Sequence, residues 1–129
     1  MKINTKLHGV LDYCLALLLV MSPWLFDYAG NNIHTWISLG TGITIILNSL
    51  FTDYEFGVIR ILRMESHLTI DMLCATILLT ASWILDSSQQ VMMFFLAISI
   101  GQAVIALITR NRPYSYRKTN NFHRLKITQ

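Results

Sequence analysis

Charged residues are scarce in this chain of 129 residues. Aspartate, glutamate, lysine and arginine together make up 13% of the sequence, while apolar residues make up 53%. An ordinary soluble protein carries about 25% charged residues. This composition, with a mean hydropathy of +0.49, excludes a disordered chain and argues against a soluble globular fold.

Cysteine and the familiar catalytic motifs are also scarce. Cys14 and Cys74 are the two cysteines, and because both lie inside apolar runs we expect buried thiols and no disulfide. The chain contains no nucleotide-binding glycine loop, nucleophile elbow, zinc-protease helix or Cys-x-x-Cys pair. We therefore expect a protein that is not an enzyme and that has no catalytic residues and no cofactor.

Long apolar runs, by contrast, are abundant. A helix needs about 20 mostly apolar residues to cross a bilayer, and four stretches meet this length. They cover residues 7–26, 34–52, 67–85 and 90–109. Asp12 interrupts the first stretch and no small-x-small cleavage site follows it, so we expect this span to be retained rather than removed as a signal peptide.

Short polar turns, marked by Asn31-Asn32 and Ser87-Ser88, join the spans into two helical hairpins. The connection at 53–66 is longer and mixes charged with apolar residues, which indicates an interfacial segment that could include a short amphipathic helix. The sequence thus predicts an all-α membrane fold with a four-helix transmembrane domain at 1–110 and a basic tail at 111–129.

The distribution of lysine and arginine predicts the orientation of these helices. With four spans, all ten basic residues fall on one side of the membrane, and the two hairpin turns carry none. The positive-inside rule therefore predicts that both termini and the 53–66 connection are cytoplasmic. The basic residues after the last span suit anionic lipid headgroups, and we do not expect them to bind nucleic acid. The candidate headgroup ligands are Arg110, Arg112, Arg117 and Lys118.

The two hairpins are similar to each other in sequence. An offset of 59 residues aligns 8–51 with 67–110 without a gap. The identities are His8/His67, Asp12/Asp71, Ala16/Ala75, Leu19/Leu78, Trp24/Trp83, Asp27/Asp86, Gly42/Gly101 and Ile46/Ile105. Each repeat has two spans (about 7–52 and 67–109) and so keeps its orientation. We therefore expect a pseudo-twofold axis along the membrane normal.

The first copy contains His8-Gly9-Val10-Leu11-Asp12-Tyr13 followed by Ser22-Pro23-Trp24, and the second begins with His67-Leu68-Thr69-Ile70-Asp71. Over residues 6–109 this pattern resembles the SPW-repeat family of small bacterial integral membrane proteins. The resemblance implies a bacterial inner-membrane location and a Ser-Pro-Trp near the end of the first helix of each repeat, but it supplies no established activity. The second copy reads Ala81-Ser82-Trp83 and retains only the tryptophan.

The repeated histidines and aspartates form the candidate site. His8 and Asp12 are four residues apart on one helix face, as are His67 and Asp71. A carboxylate inside a span faces the bundle or a wet crevice rather than lipid. Two His-Asp pairs that face each other could form a divalent-metal site, a proton relay or a closed polar clasp, and we favour the clasp.

Other repeated residues suit packing and membrane anchoring. Pro23 removes a backbone donor and should kink or end its helix. Trp24 and Trp83 are expected in the aromatic belt at the outer interface. Small residues four apart allow close helix approach, either within the bundle or between protomers. These small-residue pairs are Ser38 with Gly42 and Ala97 with Gly101.

Without a complete catalytic set, the leading expectation is a non-enzymatic packing, oligomerisation or accessory module. Its partners would be lipid and either a second copy or another membrane protein. The alternative is a protein that handles protons or cations through His8, Asp12, His67 and Asp71.

Cysteine labelling tests the predicted orientation. After both native cysteines are replaced by alanine, a single cysteine introduced at Asn31 or Ser88 should react with a membrane-impermeant reagent added to intact spheroplasts. A cysteine at Ser115 should react only after lysis, because the sequence places it on the cytoplasmic side. Labelling of the Ser115 position in intact spheroplasts would contradict the topology.

Overall fold

Four long helices make up almost all of the computed structural model, which describes residues 2–30 and 32–110. They are α1 (Thr5–Leu25), α2 (Ile33–Phe51), α3 (Met64–Ile84) and α4 (Gln89–Ile108). All four are long and apolar enough to cross a membrane, which confirms the predicted all-α membrane fold. The described residues form no strand beyond two isolated bridges. The tail at 111–129 and the turn residue Asn31 lie outside the described residues.

Polar side chains set the starts of three helices. Asn4, Asn32 and Ser88 each precede a helix, and each side chain accepts a hydrogen bond from a backbone N–H of the first turn. These bonds satisfy donors that the helix itself cannot pair. Arg63, which precedes α3, makes no such side-chain bond. The caps at Asn32 and Ser88 give a reason for polar residues in the two hairpin turns.

Pro23 lies close to the C-terminal end of α1 and determines how this helix ends. Pro23 has no N–H for the carbonyl of Leu19, and the hydroxyl of Ser22 donates to that carbonyl at 2.7 Å instead. The helix ends two residues later at Leu25, as the sequence predicts. The N–H of Tyr28 then returns to the carbonyl of Pro23 at 2.8 Å, with Asp27 in the left-handed region at φ 54°, which is a Schellman-type C-cap.

The helices pack in a ring in chain order. α1 contacts α2, α2 contacts α3, α3 contacts α4, and α4 returns to α1. In the described part of the chain, α1 and α3 lie on a diagonal and meet through side chains rather than by close backbone approach. Side chains from these two helices therefore fill the centre of the bundle.

Two backbone bridges at one end of the bundle close this ring. Thr52, just after α2, pairs with Leu62, just before α3, and Thr109, just after α4, pairs with Ile3, just before α1. The N–H of Asp53 donates to the carbonyl of Leu62 at 2.8 Å. On the other side, the N–H of Ile3 donates to the carbonyl of residue 108 at 2.9 Å. The same local structure thus joins α2 to α3 and α4 to α1.

The connection between α2 and α3 forms no amphipathic helix, so that option for 53–66 is wrong. The chain remains irregular from residue 53 until α3 begins at Met64. Backbone N–H groups of Val58 and Ile59 bond back to the carbonyl of Leu50 at 2.8 and 3.0 Å. These bonds hold the segment against the end of α2 and leave Val58 and Ile61 more than two-thirds exposed, as an interfacial segment requires.

α1 and α3 bury equivalent positions of the repeat at the offset of 59. The buried pairs are Thr5/Met64, His8/His67, Asp12/Asp71, Ala16/Ala75, Leu19/Leu78, Ser22/Ala81 and Pro23/Ser82. α2 and α4 instead bury equivalent positions at an offset of 57. Those pairs are Ser38/Phe95, Thr41/Ile98, Gly42/Ser99, Ile45/Gln102 and Ser49/Ala106. The pseudo-twofold axis itself stays a prediction.

Because the two offsets differ by two residues, Gly42 and Gly101 lie in different packing environments. A Cβ atom at Gly42 would lie 2.9 Å from Val20 Cγ2 and 3.0 Å from the carbonyl oxygen of Ala16, so α1 and α2 are in close contact there. Ser38 is also buried. A Cβ at Gly101 would meet nothing within 4 Å, and Ala97 is exposed. The second small-residue pair therefore faces outward from the bundle.

The two cysteines also differ from each other in burial. Both are free, as the sequence predicts, and Cys74 is buried in the core. Cys14 is exposed on α1, so the prediction of two buried thiols is wrong for this residue. Its position lies between the buried stripe residues of α1 and faces away from the neighbouring helices.

The contrast between the two glycines gives a direct test of the packing. Gly42→Ala should lower the free energy of unfolding by about 1–3 kcal/mol, because the added methyl group meets backbone and Cβ atoms of α1. Gly101→Ala should change it by less than about 1 kcal/mol, or raise it, because alanine favours the helix and has room. Unfolding in mixed detergent micelles, followed by circular dichroism, measures both, and equal losses would contradict the packing.

Candidate functional site

His8, Asp12, His67 and Asp71 meet at the centre of the bundle, and we call them the His-Asp cluster. Each is at most 1% exposed. His8 Nε2 lies 2.9 Å from His67 Nε2, 3.1 Å from Asp12 Oδ2 and 3.3 Å from Asp71 Oδ2. His67 Nε2 lies 3.0 Å from Asp12 Oδ2 and 3.1 Å from Asp71 Oδ2. Two imidazole nitrogens and two carboxylate oxygens thus converge on one point.

The helices bring these atoms together for two reasons. A spacing of four residues puts each histidine and its aspartate on the same face, one turn apart. The diagonal placement of α1 and α3 then points both faces at the centre of the ring. The cluster therefore contains contacts within each helix and contacts between the two helices.

A threonine fixes the proton on each histidine ring. Thr52 Oγ1 donates to the carbonyl of Asn48 at 2.6 Å, so its oxygen is free to accept from His67 Nδ1 at 2.9 Å. Thr109 Oγ1 likewise donates to the carbonyl of Ile105 at 2.6 Å and accepts from His8 Nδ1 at 2.9 Å. With the proton on Nδ1, each neutral ring presents a bare lone pair on Nε2.

This arrangement requires a positive charge at the centre. When both rings are neutral, two Nε2 lone pairs face each other at 2.9 Å, and two carboxylate oxygens face the same point. The cluster itself contains two acids and no lysine or arginine. Burying two uncompensated carboxylates is very costly, so protons on the imidazoles or a metal cation must balance them. The four ligand atoms lie within 4.8 Å of one another, as a metal ion would require.

Residues of α2 bind the carboxylates from the side. Ser49 Oγ donates to Asp12 Oδ2 at 3.2 Å. Asn48 Nδ2 donates to Asp71 Oδ1 at 3.1 Å and also lies 3.1 Å from the carbonyl oxygen of His67. Asp71 Oδ2 is near both histidines but has no partner with hydrogen-bond geometry in the described part of the chain. It is therefore an acceptor aimed at the centre of the cluster.

Tyr54 covers the cluster at the end of the bundle that carries the described basic residues. It is fully buried, and its ring centroid is 5.9 Å from that of His67. A Cβ at Gly9 would overlap the Tyr54 ring, which gives a steric reason for glycine beside His8. Burial raises the pKa of the Tyr54 phenol well above its usual range. The tyrosine therefore stays neutral and separates the cluster from solvent.

A second polar group lies at the opposite end of the bundle. Tyr28 Oη contacts Ser22 Oγ and lies 2.7 Å from Ser38 Oγ. Burial raises the pKa of Tyr28, so the phenol remains a neutral hydrogen-bonding group. Trp24 and Trp83, near this end, are 66% and 77% exposed, as residues that face lipid or headgroups must be.

Sequence reasoning identified the four central residues but missed those that surround them. The missed residues are Asn48, Ser49, Thr52, Tyr54 and Thr109. Thr52 and Thr109 hold equivalent places, one after each second helix, yet they are 57 residues apart. An alignment that allowed a two-residue gap in the hairpin turns would have paired them, whereas the gapless offset of 59 hid the relation.

The family comparison agrees with this architecture. Residues 6–110 match the SPW repeat domain. The chain belongs to the SPW repeat family. Comparisons with curated proteins and with solved structures found no match. In this SPW repeat protein, the serine of Ser22-Pro23-Trp24 fills the hydrogen-bonding gap left by the proline and binds Tyr28. In Ala81-Ser82-Trp83, Ser82 Oγ donates to the carbonyl of Leu79 at 2.7 Å.

Proposed function

We propose that this SPW repeat protein is a non-enzymatic membrane module whose bundle is clasped by the His-Asp cluster. The observation that carries the proposal is one continuous buried network that reaches all four helices. α1 supplies His8 and Asp12, and α3 supplies His67 and Asp71. α2 and the residues that directly follow α2 and α4 complete it through Asn48, Ser49, Thr52 and Thr109.

A membrane bundle depends on such a network more than a soluble one does. Lipid tails are as apolar as leucine, so burial of leucine against leucine gives little drive for helices to associate within a bilayer. Packing of small residues and polar contacts supply that drive instead. Gly42 provides the close packing of α1 on α2, and the cluster links the diagonal pair α1 and α3.

The alternative function is movement of protons or cations through the cluster. Ions that cross the membrane by this route would have to pass an apolar layer inside the bundle. Ala16, Leu19, Ile45 and Leu78 are buried above the cluster, toward the end that holds Tyr28. Gln102 interrupts this layer, and both polar atoms of its amide lack a hydrogen-bond partner in the described part of the chain. One buried amide does not make a polar path, so the clasp is the better supported function.

The proposal places the cluster on the cytoplasmic side of a bacterial inner membrane. The described basic residues all lie at the cluster end, which suits the positive-inside rule. They are Lys2, Lys6, Arg60, Arg63 and Arg110. Anionic lipid headgroups are the partner class that these cations suit. The outward-facing Ala97 and Gly101 suit close approach by a helix of a second copy or of another membrane protein.

Removing one acid tests the clasp. Asp12→Asn should lower the free energy of unfolding by about 3–5 kcal/mol, because it removes one of the two buried carboxylate charges that the cation at the centre of the cluster balances. The matched control is Glu65→Gln, whose carboxylate pairs with Arg63 at 3.2 Å on the surface. That change should cost less than about 1 kcal/mol, because exposed ion pairs contribute little. Unfolding in mixed micelles measures both variants.

Two results would contradict the proposal. One is equal stability of the Asp12→Asn and Glu65→Gln variants. The other is proton or cation flux in vesicles reconstituted with the full chain, when Asp12→Asn and Asp71→Asn together abolish that flux. The second result would favour the transport alternative, because a clasp has no reason to conduct.

A further inference from the structure

We propose that the His-Asp cluster is a closed tetrahedral site for one Zn²⁺ ion. The ligands are Nε2 of His8 and His67 and Oδ2 of Asp12 and Asp71. This inference rests on the cluster that forms the proposed clasp and adds the chemical identity of what holds it together.

The distances between the ligand atoms fit a small tetrahedral ion. Zn²⁺ binds imidazole nitrogen and carboxylate oxygen at about 2.0–2.2 Å, which makes the edge of the tetrahedron about 3.4 Å. The nitrogen–nitrogen distance is 2.9 Å, and the four nitrogen–oxygen distances run from 3.0 to 3.3 Å. The two carboxylate oxygens lie within 4.8 Å of each other. Coordination would move the two nitrogens apart by about 0.5 Å and would bring the two oxygens to about 3.4 Å from each other.

The protonation of the rings also fits a metal. Thr52 and Thr109 hold the proton on Nδ1, which leaves Nε2 as the coordinating atom in both rings. Histidines that bind metals usually donate their other N–H to a neighbouring acceptor, and this contact orients the ring. Asp71 Oδ2 is buried and lies 3.1 and 3.3 Å from the two Nε2 atoms, yet it makes no hydrogen bond within the described residues. A ligand atom without a hydrogen bond is what a metal site predicts.

Charge distinguishes the metal from protons. Two carboxylates and one divalent cation sum to zero with both imidazoles neutral, so all four lone pairs are satisfied at once. While both carboxylates stay ionised, neutralisation by protons requires both rings to become imidazolium. Two Nε2–H groups would then oppose each other across 2.9 Å, which is a repulsive contact. The geometry therefore favours a metal cation over two protons.

The donor set selects the kind of metal. Ca²⁺ and Mg²⁺ prefer six or more oxygen ligands, and two of the four donors here are nitrogens. Cu²⁺ prefers a square-planar arrangement, whereas Zn²⁺ accepts a tetrahedral one. Four protein ligands beneath Tyr54 leave no evident open position, which is typical of a structural site rather than a catalytic one.

Metal binding to the full chain tests the site. The protein is purified in detergent, stripped with a chelator and dialysed against buffered Zn²⁺, and bound metal is measured by elemental analysis. We expect one Zn²⁺ per chain and a rise in the unfolding temperature on binding. Co²⁺ in place of Zn²⁺ should give the intense visible absorption of a tetrahedral complex.

Three variants locate the ion. Asp71→Asn should abolish stoichiometric binding and the Co²⁺ absorption. Thr109→Val keeps all four ligands and should weaken binding about 10- to 100-fold, because it removes the contact that orients His8. Ser38→Ala, in the polar group at the opposite end, should bind as the wild type does. Thr109→Val and the wild-type spectrum keep the test decisive even where Asp71→Asn fails to fold.

The proposal is overturned by substoichiometric Zn²⁺ in the wild type, by an octahedral Co²⁺ spectrum, or by wild-type affinity in Asp71→Asn. Its failure is separable from failure of the clasp. A wild-type chain that binds no metal, yet loses stability in Asp12→Asn and not in Glu65→Gln, retains the clasp and loses the zinc. Unchanged stability in Asp12→Asn would instead remove the clasp.

Discussion

The structure depends on two histidine rings whose Nδ1–H groups donate hydrogen bonds to threonine hydroxyls. Each threonine O–H already donates a hydrogen bond to a helix carbonyl, so the hydroxyl oxygen can only accept a hydrogen bond from the ring. A neutral ring then presents an unprotonated Nε2 to the centre of the bundle, opposite a second Nε2 and two carboxylate oxygens. Four electron-rich atoms in a buried site are stable together only around a cation.

The rest of the fold places these groups. α1 and α3 lie diagonally, so their equivalent faces meet, and the two bridges beside Thr52 and Thr109 hold the threonines where the rings can reach them. The loop after α2 brings Tyr54 over the cluster, and the absence of a side chain at Gly9 makes room for it. Each of these features lies at one end of the bundle. The apolar layer of Ala16, Leu19, Ile45 and Leu78 lies toward the other end of the bundle, where Ser22, Tyr28 and Ser38 form the second polar group.

Much of this could be predicted because it follows from composition and short-range spacing. Helix number follows from the apolar runs, and the pairing of His8 with Asp12 follows from one helical turn. What could not be predicted depends on contacts between distant segments. Thr109 binds His8 across 101 positions of the chain, and no local pattern marks that partner.

The gapless alignment of the repeats gave one wrong equivalence, that of Gly42 with Gly101. The offset of 59 holds for α1 and α3, but the second hairpin turn is shorter, so the buried faces of α2 and α4 correspond at 57. Gly42 and Gly101 are identical in the gapless alignment, and yet one packs on α1 and the other faces outward. Side-chain burial, rather than residue identity, decides which positions are equivalent.

The most direct measurement is nitrogen NMR of the isotopically labelled imidazoles of His8 and His67, in the full chain reconstituted in lipid nanodiscs. The account predicts that both rings carry a proton on Nδ1 and that both Nε2 atoms are unprotonated and shifted by a bound cation. Rings that carry their proton on Nε2, with Nδ1 free, would contradict it, because the threonines would then not determine which atoms face the centre.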